Sequence, residues 1–285
     1  MLAEATGGAV INSDSAQLYA DIPVLSAAPS AGDRARADHR LYGVLDGANP
    51  CSAADWAGMA KAEIAALHSE GRLPILVGGT GLYLRTLLNG IAPVPEIDPE
   101  IRTDVRAASV SENLAALALL DPVAANRLNP GDTTRIARAL EVVRSTGETL
   151  AHWQQQLEGG IGEEIDLKPL ILMPPRNWLY ERCDRRFDQM INQGAIEEVR
   201  RLAGRKLDPQ LPVMRAIGVP ELIEHLDGET TFLQAIGAGQ LATRRYAKRQ
   251  YTWFAHQPPA HWPRFEDELD NGAVGEALAL VGLSL

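Results

Sequence analysis

Pro74-Ile75-Leu76-Val77-Gly78-Gly79-Thr80-Gly81-Leu82-Tyr83 is the stretch that decides the fold. Its first four residues form a short apolar run of the buried-strand type, the glycines break it, and residues 82–89 resume as a helix. Strand, glycine loop and helix in that order are one unit of a parallel sheet. The order recurs on both sides. Upstream, a helical stub ends at Gly7-Gly8, and Ala9-Val10-Ile11-Asn12 reads as a strand entering the polar turn Ser13-Asp14-Ser15-Ala16-Gln17. Ser52-Ala53-Ala54-Asp55 has the form of a capping box and opens a helix through Ser69. Downstream, Leu170-Ile171-Leu172-Met173 is an apolar strand stopped by Pro174-Pro175, and an arginine-rich amphipathic helix covers residues 178–192. Residues 97–157 differ in texture: rich in Ala and Leu, broken at Asp121-Pro122 and Asn129-Pro130-Gly131-Asp132, without a strand. The reading is an α/β core over 1–96 and 158–265, an all-helical insertion over 97–157, and a tail over 266–285.

Composition narrows the function. A chain of 285 residues with 46% hydrophobic and 22% charged residues fits a globular protein. No apolar run reaches the length of a membrane span, and no secretory leader is visible, so the cytoplasm is the expected compartment. Two cysteines, Cys51 and Cys183, give neither a disulfide framework nor a metal spacing. The net charge of −10 argues against indiscriminate coating of nucleic acid.

Against that acidic background, residues 230–265 contain no Asp or Glu. Within them Thr243-Arg244-Arg245-Tyr246-Ala247-Lys248-Arg249-Gln250-Tyr251-Thr252-Trp253-Phe254 carries four positive charges and four aromatic rings. Cations interleaved with rings suit a polyanion with stackable bases, so RNA or DNA is the first partner to consider. The plainer reading is a solvated helix face with a few core aromatics.

In open α/β sheets, ligands bind beyond the carboxyl ends of the strands. One such end presents Asp14, Ser15 and Gln17. The other presents Gly78, Gly79 and Thr80, where glycines permit close approach and the next helix N-terminus favours an anion. Alone, Asp14 reads equally as a turn residue, and Gly-Gly-Thr-Gly as a tight turn.

Together these pieces resemble the tRNA dimethylallyltransferase family, the bacterial tRNA isopentenyltransferases. The matching segments occur in the family's order. They are Asp14-Ser15-Ala16-Gln17-Leu18-Tyr19, His39-Arg40-Leu41-Tyr42, Ser52-Ala53-Ala54-Asp55-Trp56 and Val77-Gly78-Gly79-Thr80-Gly81-Leu82-Tyr83. Asp98-Pro99-Glu100-Ile101-Arg102, Asp121-Pro122-Val123-Ala124-Ala125 and Arg135-Ile136-Ala137-Arg138-Ala139-Leu140-Glu141-Val142 follow. Arg182 with Arg186 and Met190, then Ala242 through Trp253, complete the series. The resemblance implies transfer of a dimethylallyl group from its diphosphate to N6 of the adenine 3′ of the anticodon. It implies Asp14 as the base, Arg186 beside the leaving diphosphate, and Thr80 beside the reacting groups. It further implies tRNA contacts at Asp14, Ser15, Ala16, Gln17, Thr80 and Arg102, at Thr134, Arg135, Ile136, Ala137 and Arg138, and at Arg215, Arg244, Arg245, Lys248 and Arg249. The implied partners are the tRNA anticodon stem-loop and dimethylallyl diphosphate, the implied cofactor is Mg²⁺, and the implied state is a monomer. Without the resemblance, Arg186 reads as a solvated helix arginine, since Asp184 and Asp188 lie two positions away and off its face.

The family's fold is a P-loop-NTPase-like parallel sheet that opens with a strand and a nucleotide-binding, ATP-type loop, Gly-x-x-x-x-Gly-Lys-Ser/Thr. That pattern does not occur in these 285 residues. First strand and loop are therefore missing from the expected sheet, and a natural protein extended at its N-terminus is the favoured account. Val219-Pro220 and Ala255 stand where the family usually has an aromatic with an arginine, and a basic residue. Two rival readings are a non-catalytic tRNA-binding remnant and a small-molecule kinase of related architecture; the acid-free window opposes the kinase. Expressed as given, the chain is expected to transfer little or no dimethylallyl group, because losing even one oxyanion-type donor costs about 10²–10³ in rate. Rapid transfer to tRNA by the purified chain would refute this.

Overall fold

The computed structural model describes residues 1–268 and 272–283. In chain order the elements are α1 (Leu2–Thr6), β1 (Ala9–Asn12), α2 (Ala31–Arg36), β2 (Asp38–Arg40), α3 (Ala53–Ser69), β3 (Pro74–Val77) and α4 (Gly81–Asn89). Helices α5 (Pro99–Ala107), α6 (Val110–Leu120), α7 (Pro122–Arg127), α8 (Thr133–Thr146) and α9 (Leu150–Trp153) follow. The chain continues with β4 (Ile171–Leu172), α10 (Arg176–Asn192), α11 (Ala195–Gly204), α12 (Val219–Leu226), α13 (Phe232–His256), β5 (Arg264–Phe265) and α14 (Ala273–Ala279).

Two compact units result, Met1–Arg85 with Asp166–Leu285, and Thr86–Ile165. In the first, β1 is the middle strand of a three-stranded parallel sheet ordered β2-β1-β3. A separate parallel pair joins β4 to β5. Ile11, Leu18, Ile22 and Leu67 are fully buried around β1 and α3. Trp56 on α3 is also fully buried, and its Nε1 donates to the Asn12 carbonyl at 2.9 Å. The capping box that opens α3 is present, Ser52 Oγ accepting from Asp55 N and the Asp55 carboxylate from Ser52 N.

The second unit is a helical bundle whose core is built on Val105, Leu117, Ile136, Leu140 and Val143. It is wider than the expected 97–157 because its two ends are tied together. Ile91 and Glu158 exchange backbone hydrogen bonds at 3.0 Å, and Ile161 N donates to the Leu87 carbonyl at 3.0 Å. Gly90 has φ +86, and a Cβ there would lie 2.3 Å from the Glu158 carbonyl oxygen, so only glycine fits the clasp.

Three further expectations are corrected. The expected tail, 266–285, contains α14, which buries Ala277 and Leu278 in the first unit; residues 269–271 and 284–285 of that tail lie outside the described residues. The β3 strand is not of the fully buried type, since Val77 is 49% exposed. The strand read at residues 170–173 is ladder-paired only over Ile171–Leu172.

Helices α10 and α13 pack at Gly239, where a Cβ would lie 2.1 Å from the Phe187 ring, and Phe187 is 2% exposed. Gly237, two residues earlier on α13, has nothing within 4 Å of its Cβ position. In an open helix, Gly→Ala gains about 1 kcal/mol, whereas overpacking a core costs about 1–3 kcal/mol. Gly239→Ala is therefore expected to lower the urea midpoint while Gly237→Ala raises it.

Candidate active site

Asp14 follows directly from the end of β1, and the site is built where the carboxyl ends of β1 and β3 meet. Ser13 N donates to the Val77 carbonyl at 2.8 Å, and Thr80 N donates to the Ser13 carbonyl at 3.2 Å. A Cβ on Gly78 would lie 2.4 Å from the Ser13 carbonyl carbon, so the two loops touch only because residue 78 is glycine. Across this seam Ser15 N donates to Thr80 Oγ1 at 3.1 Å. Asp14 and Thr80, read separately in the sequence, thus belong to one joined pair of loops.

The glycines of this loop also admit a helix of the same chain. A Cβ on Gly79 would lie 2.0 Å from Gln250 Nε2, and one on Gly81 would lie 2.5 Å from the Trp253 ring. Gln250 Nε2 also donates to the Gly79 carbonyl at 3.0 Å. The close approach these glycines permit is to helix α13 of the same chain. Tyr246, one turn before Gln250, lines the cavity with it.

That contact divides the basic, aromatic stripe. Tyr246, Gln250 and Trp253 lie four and three residues apart and face the glycine loop, whereas Arg245, Lys248 and Arg249 share the exposed side. Arg244 is spent on an ion pair with Asp184 of α10. Arg249 sits over the Tyr246 ring at 5.5 Å, and Arg176 over Tyr251 at 4.6 Å. Some rings therefore support protein structure, as the plainer reading had it, while three cations stay open to solvent.

A cavity of about 490 Å³ lies in front of Asp14, lined also by Ser15, Ala16, Tyr83, Arg182, Arg186, Arg215, Tyr246 and Arg249. Asp14 is the one carboxylate on its wall. Burial pushes its pKa above the ordinary value of 3.8, opposed by the backbone N–H groups of Ala16 and Gln17 and by the Arg186 charge. Ala16 N donates to Asp14 Oδ1 at 2.9 Å. Arg186 reaches solvent through the cavity mouth, yet packed atoms around it pull its pKa down, and Asp14 pulls it back up. Arg186 is thus an exposed arginine on α10, as the plainer reading had it, and it also lines the same cavity as Asp14.

Other expected contacts sort by accessibility. Gln17 Nε2 is committed to the carbonyls of Ser26 and Ala27, at 2.9 and 3.0 Å. Arg215 is exposed on the cavity wall. In the helical unit Arg102, Thr134 and Arg135 are exposed and Arg138 is half-buried. Ile136 and Ala137, expected to touch RNA, are 0% and 2% exposed; their side chains fill the bundle core and serve by holding α8. Burial lowers the Arg138 pKa, Glu141 opposes this, and the Arg102 and Arg106 charges add to it. Sequence reading missed Gln250 as a loop clamp, and it missed Cys51 and Cys183, which both line the cavity. Tyr83, stacked on Trp56 at 4.8 Å, lines the cavity beside Cys51. The spacing of Tyr246, Gln250 and Trp253 was the available signal for the clamp; nothing local marked the cysteines.

Among the described residues no three His, Cys, Asp or Glu side chains converge as a metal set. Mg²⁺ carried by a diphosphate keeps most of its waters and needs only one or two protein oxygens. Among the same residues no helix is long and apolar enough to cross a membrane.

Comparison with known proteins adds the following. Residues 17–257 match the family model described as IPP transferase. The tRNA dimethylallyltransferase of Sphingopyxis alaskensis is 59% identical over 269 residues, covering 94% of this chain and 88% of its own. The full-length tRNA isopentenylpyrophosphate transferase of Bacillus halodurans superposes with a TM-score of 0.69 at 31% identity, covering 98% of this chain and 88% of its own. A eukaryotic dimethylallyltransferase, solved in snapshots of its action on tRNA, gives 0.73 at 26% identity over 89% of this chain and 65% of its own.

The raised pKa of Asp14 has a stability consequence. Between 3.8 and the raised value the native state binds more protons than the unfolded chain, so stability falls as pH rises through that window. Above it the full cost of a buried charge is present. Asp14→Asn removes that cost, so the variant is expected to exceed the parent in urea midpoint at pH 7.5, with the gap narrowing towards pH 4.

Proposed function

The chain belongs to the IPP transferase family, the tRNA dimethylallyltransferases, and on that premise we propose that it transfers a dimethylallyl group from dimethylallyl diphosphate to N6 of the adenine 3′ of the anticodon in cytoplasmic tRNA. The observation that carries the proposal is that Asp14 and Arg186 line one cavity, each charge favouring the other. The adenine is extruded from its stack into that cavity, as base-modifying chemistry requires. Its N6 forms a bond to C1 of the dimethylallyl group while the C1–O bond breaks, and the electron pair leaves with the diphosphate. An N6–H proton passes to the Asp14 carboxylate. Arg186 answers the charge that develops on the leaving oxygens. Thr80, through Ser15 N, keeps the Asp14 loop in register.

Arg215 and Arg249 on the cavity wall, and Arg245 and Lys248 on α13, are exposed cations suited to the phosphates of an anticodon stem-loop, which set register without reading sequence. Arg102, Thr134, Arg135 and Arg138 offer the same chemistry on the helical unit. The protein acts as a monomer, with Mg²⁺ accompanying the diphosphate.

Labelled dimethylallyl transfer by the chain given an N-terminal extension that carries the Gly-x-x-x-x-Gly-Lys-Ser/Thr loop, measured beside binding of an anticodon stem-loop, tests this. Asp14→Asn is expected to slow transfer by at least about 10²-fold, the usual weight of a general base, while RNA affinity stays within about twofold. The acid limb of the parent's pH–rate curve is expected above 3.8, because the base must be ionised and burial has raised its pKa. An undiminished Asp14→Asn would sink the proposal. RNA binding without transfer by any version would favour the second reading, a non-catalytic tRNA-binding member.

A further inference from the structure

Asn12, the last residue of β1, is a fully buried amide at the end of an apolar strand. Burying an amide is unfavourable unless its polar atoms are paired, and here they are all paired around Asp14. Its Nδ2 donates to the Asp14 carbonyl and to the Leu41 carbonyl, each at 2.9 Å. Its Oδ1 accepts from Asp14 N at 2.7 Å. One side chain thus grips both peptide groups of Asp14. Leu41, the third partner, stands at φ 63, a left-handed conformation that such a residue keeps only when its surroundings hold it. With Trp56 Nε1 on the Asn12 carbonyl, the amide is anchored from behind as well.

We propose that Asn12 is a positioning residue for proton abstraction: by fixing the Asp14 backbone it keeps Asp14 Oδ1 on the Ala16 N–H and leaves Oδ2 to take the proton from the substrate amine. This rests on Asp14 being the base. A hydrogen-bonded main chain reduces the freedom of the carboxylate to its two side-chain torsions, and one of its oxygens is already tethered. Misplacement of a reacting group by about 1 Å can cost about 10²-fold in rate.

The test uses the full chain with Asn12→Ala, which removes all three bonds, and Asn12→Asp, which keeps the size and the acceptor but sets an oxygen against two carbonyls. Amide hydrogen exchange at Ala16 is expected to accelerate at least about tenfold more than at the β1 ladder amides, since only the local hold on the carboxylate is lost. Transfer is expected to lose at least about tenfold in kcat with KM for tRNA within about twofold. Equal acceleration at Ala16 and β1 would mark general loosening and overturn the proposal, as would unchanged exchange at Ala16. If Asn12→Ala does not fold, Asn12→Asp carries the same measurement. Asp14→Asn separates the two levels: silent Asp14→Asn beside full-rate Asn12→Ala defeats the positioning role alone, whereas full-rate Asp14→Asn defeats both.

Discussion

The contact between Ser13 and Gly78 is the constraint on which the site depends. Parallel pairing of β1 with β3 brings two loops to the same edge, but the loops join only because residue 78 carries no side chain. The seam puts Thr80 Oγ1 under Ser15 N and so relates the glycine loop to Asp14. Helix α13 closes it from outside through Gln250 and Trp253. A residue larger than glycine at 78, 79 or 81 would push against backbone or a packed helix, with no flexible atom free to yield at 78.

Two buried acids and one half-buried acid show how environment separates structure from chemistry. Glu198 is 1% exposed and spends its oxygens on Val24 N and Leu25 N, at 2.8 and 2.9 Å, so it fixes the loop before α2. Glu141, also 1% exposed, is met by Arg106 Nε at 2.5 Å and fixes α5 to α8. Asp14 has one oxygen on Ala16 N and otherwise lines an open cavity with Arg186 across from it. Satisfied acids stabilise; an acid left partly unsatisfied beside a cation and an opening is available for reaction.

What the sequence revealed was local. Ala9–Asn12 and Pro74–Val77 are apolar runs with clear stops, and Ser52 with Asp55 announces α3, so these elements were legible without a structure. The strand β2 was not, because Asp-His-Arg has neither apolar alternation nor a β-branched residue. It exists because β1 pairs with it and because Arg40 is held by Asp38 and Glu63. The helical unit was legible as helical, but its limits were not, since a clasp between residues 87–91 and 158–162 leaves no local trace.

Motif order, helix signals and strand runs determined the parallel α/β core, the helical insertion and the family, for these depend on neighbours along the chain. Tertiary structure alone decided which of the stripe's cations remain free, that the glycines admit α13, that Ile136 and Ala137 face inward, and that Asn12 holds Asp14. Apart from the Asn12 to Asp14 bond, those outcomes depend on groups from remote parts of the chain meeting at one place. Even that bond becomes a fixed geometry only once Leu41 and Trp56 arrive to complete it.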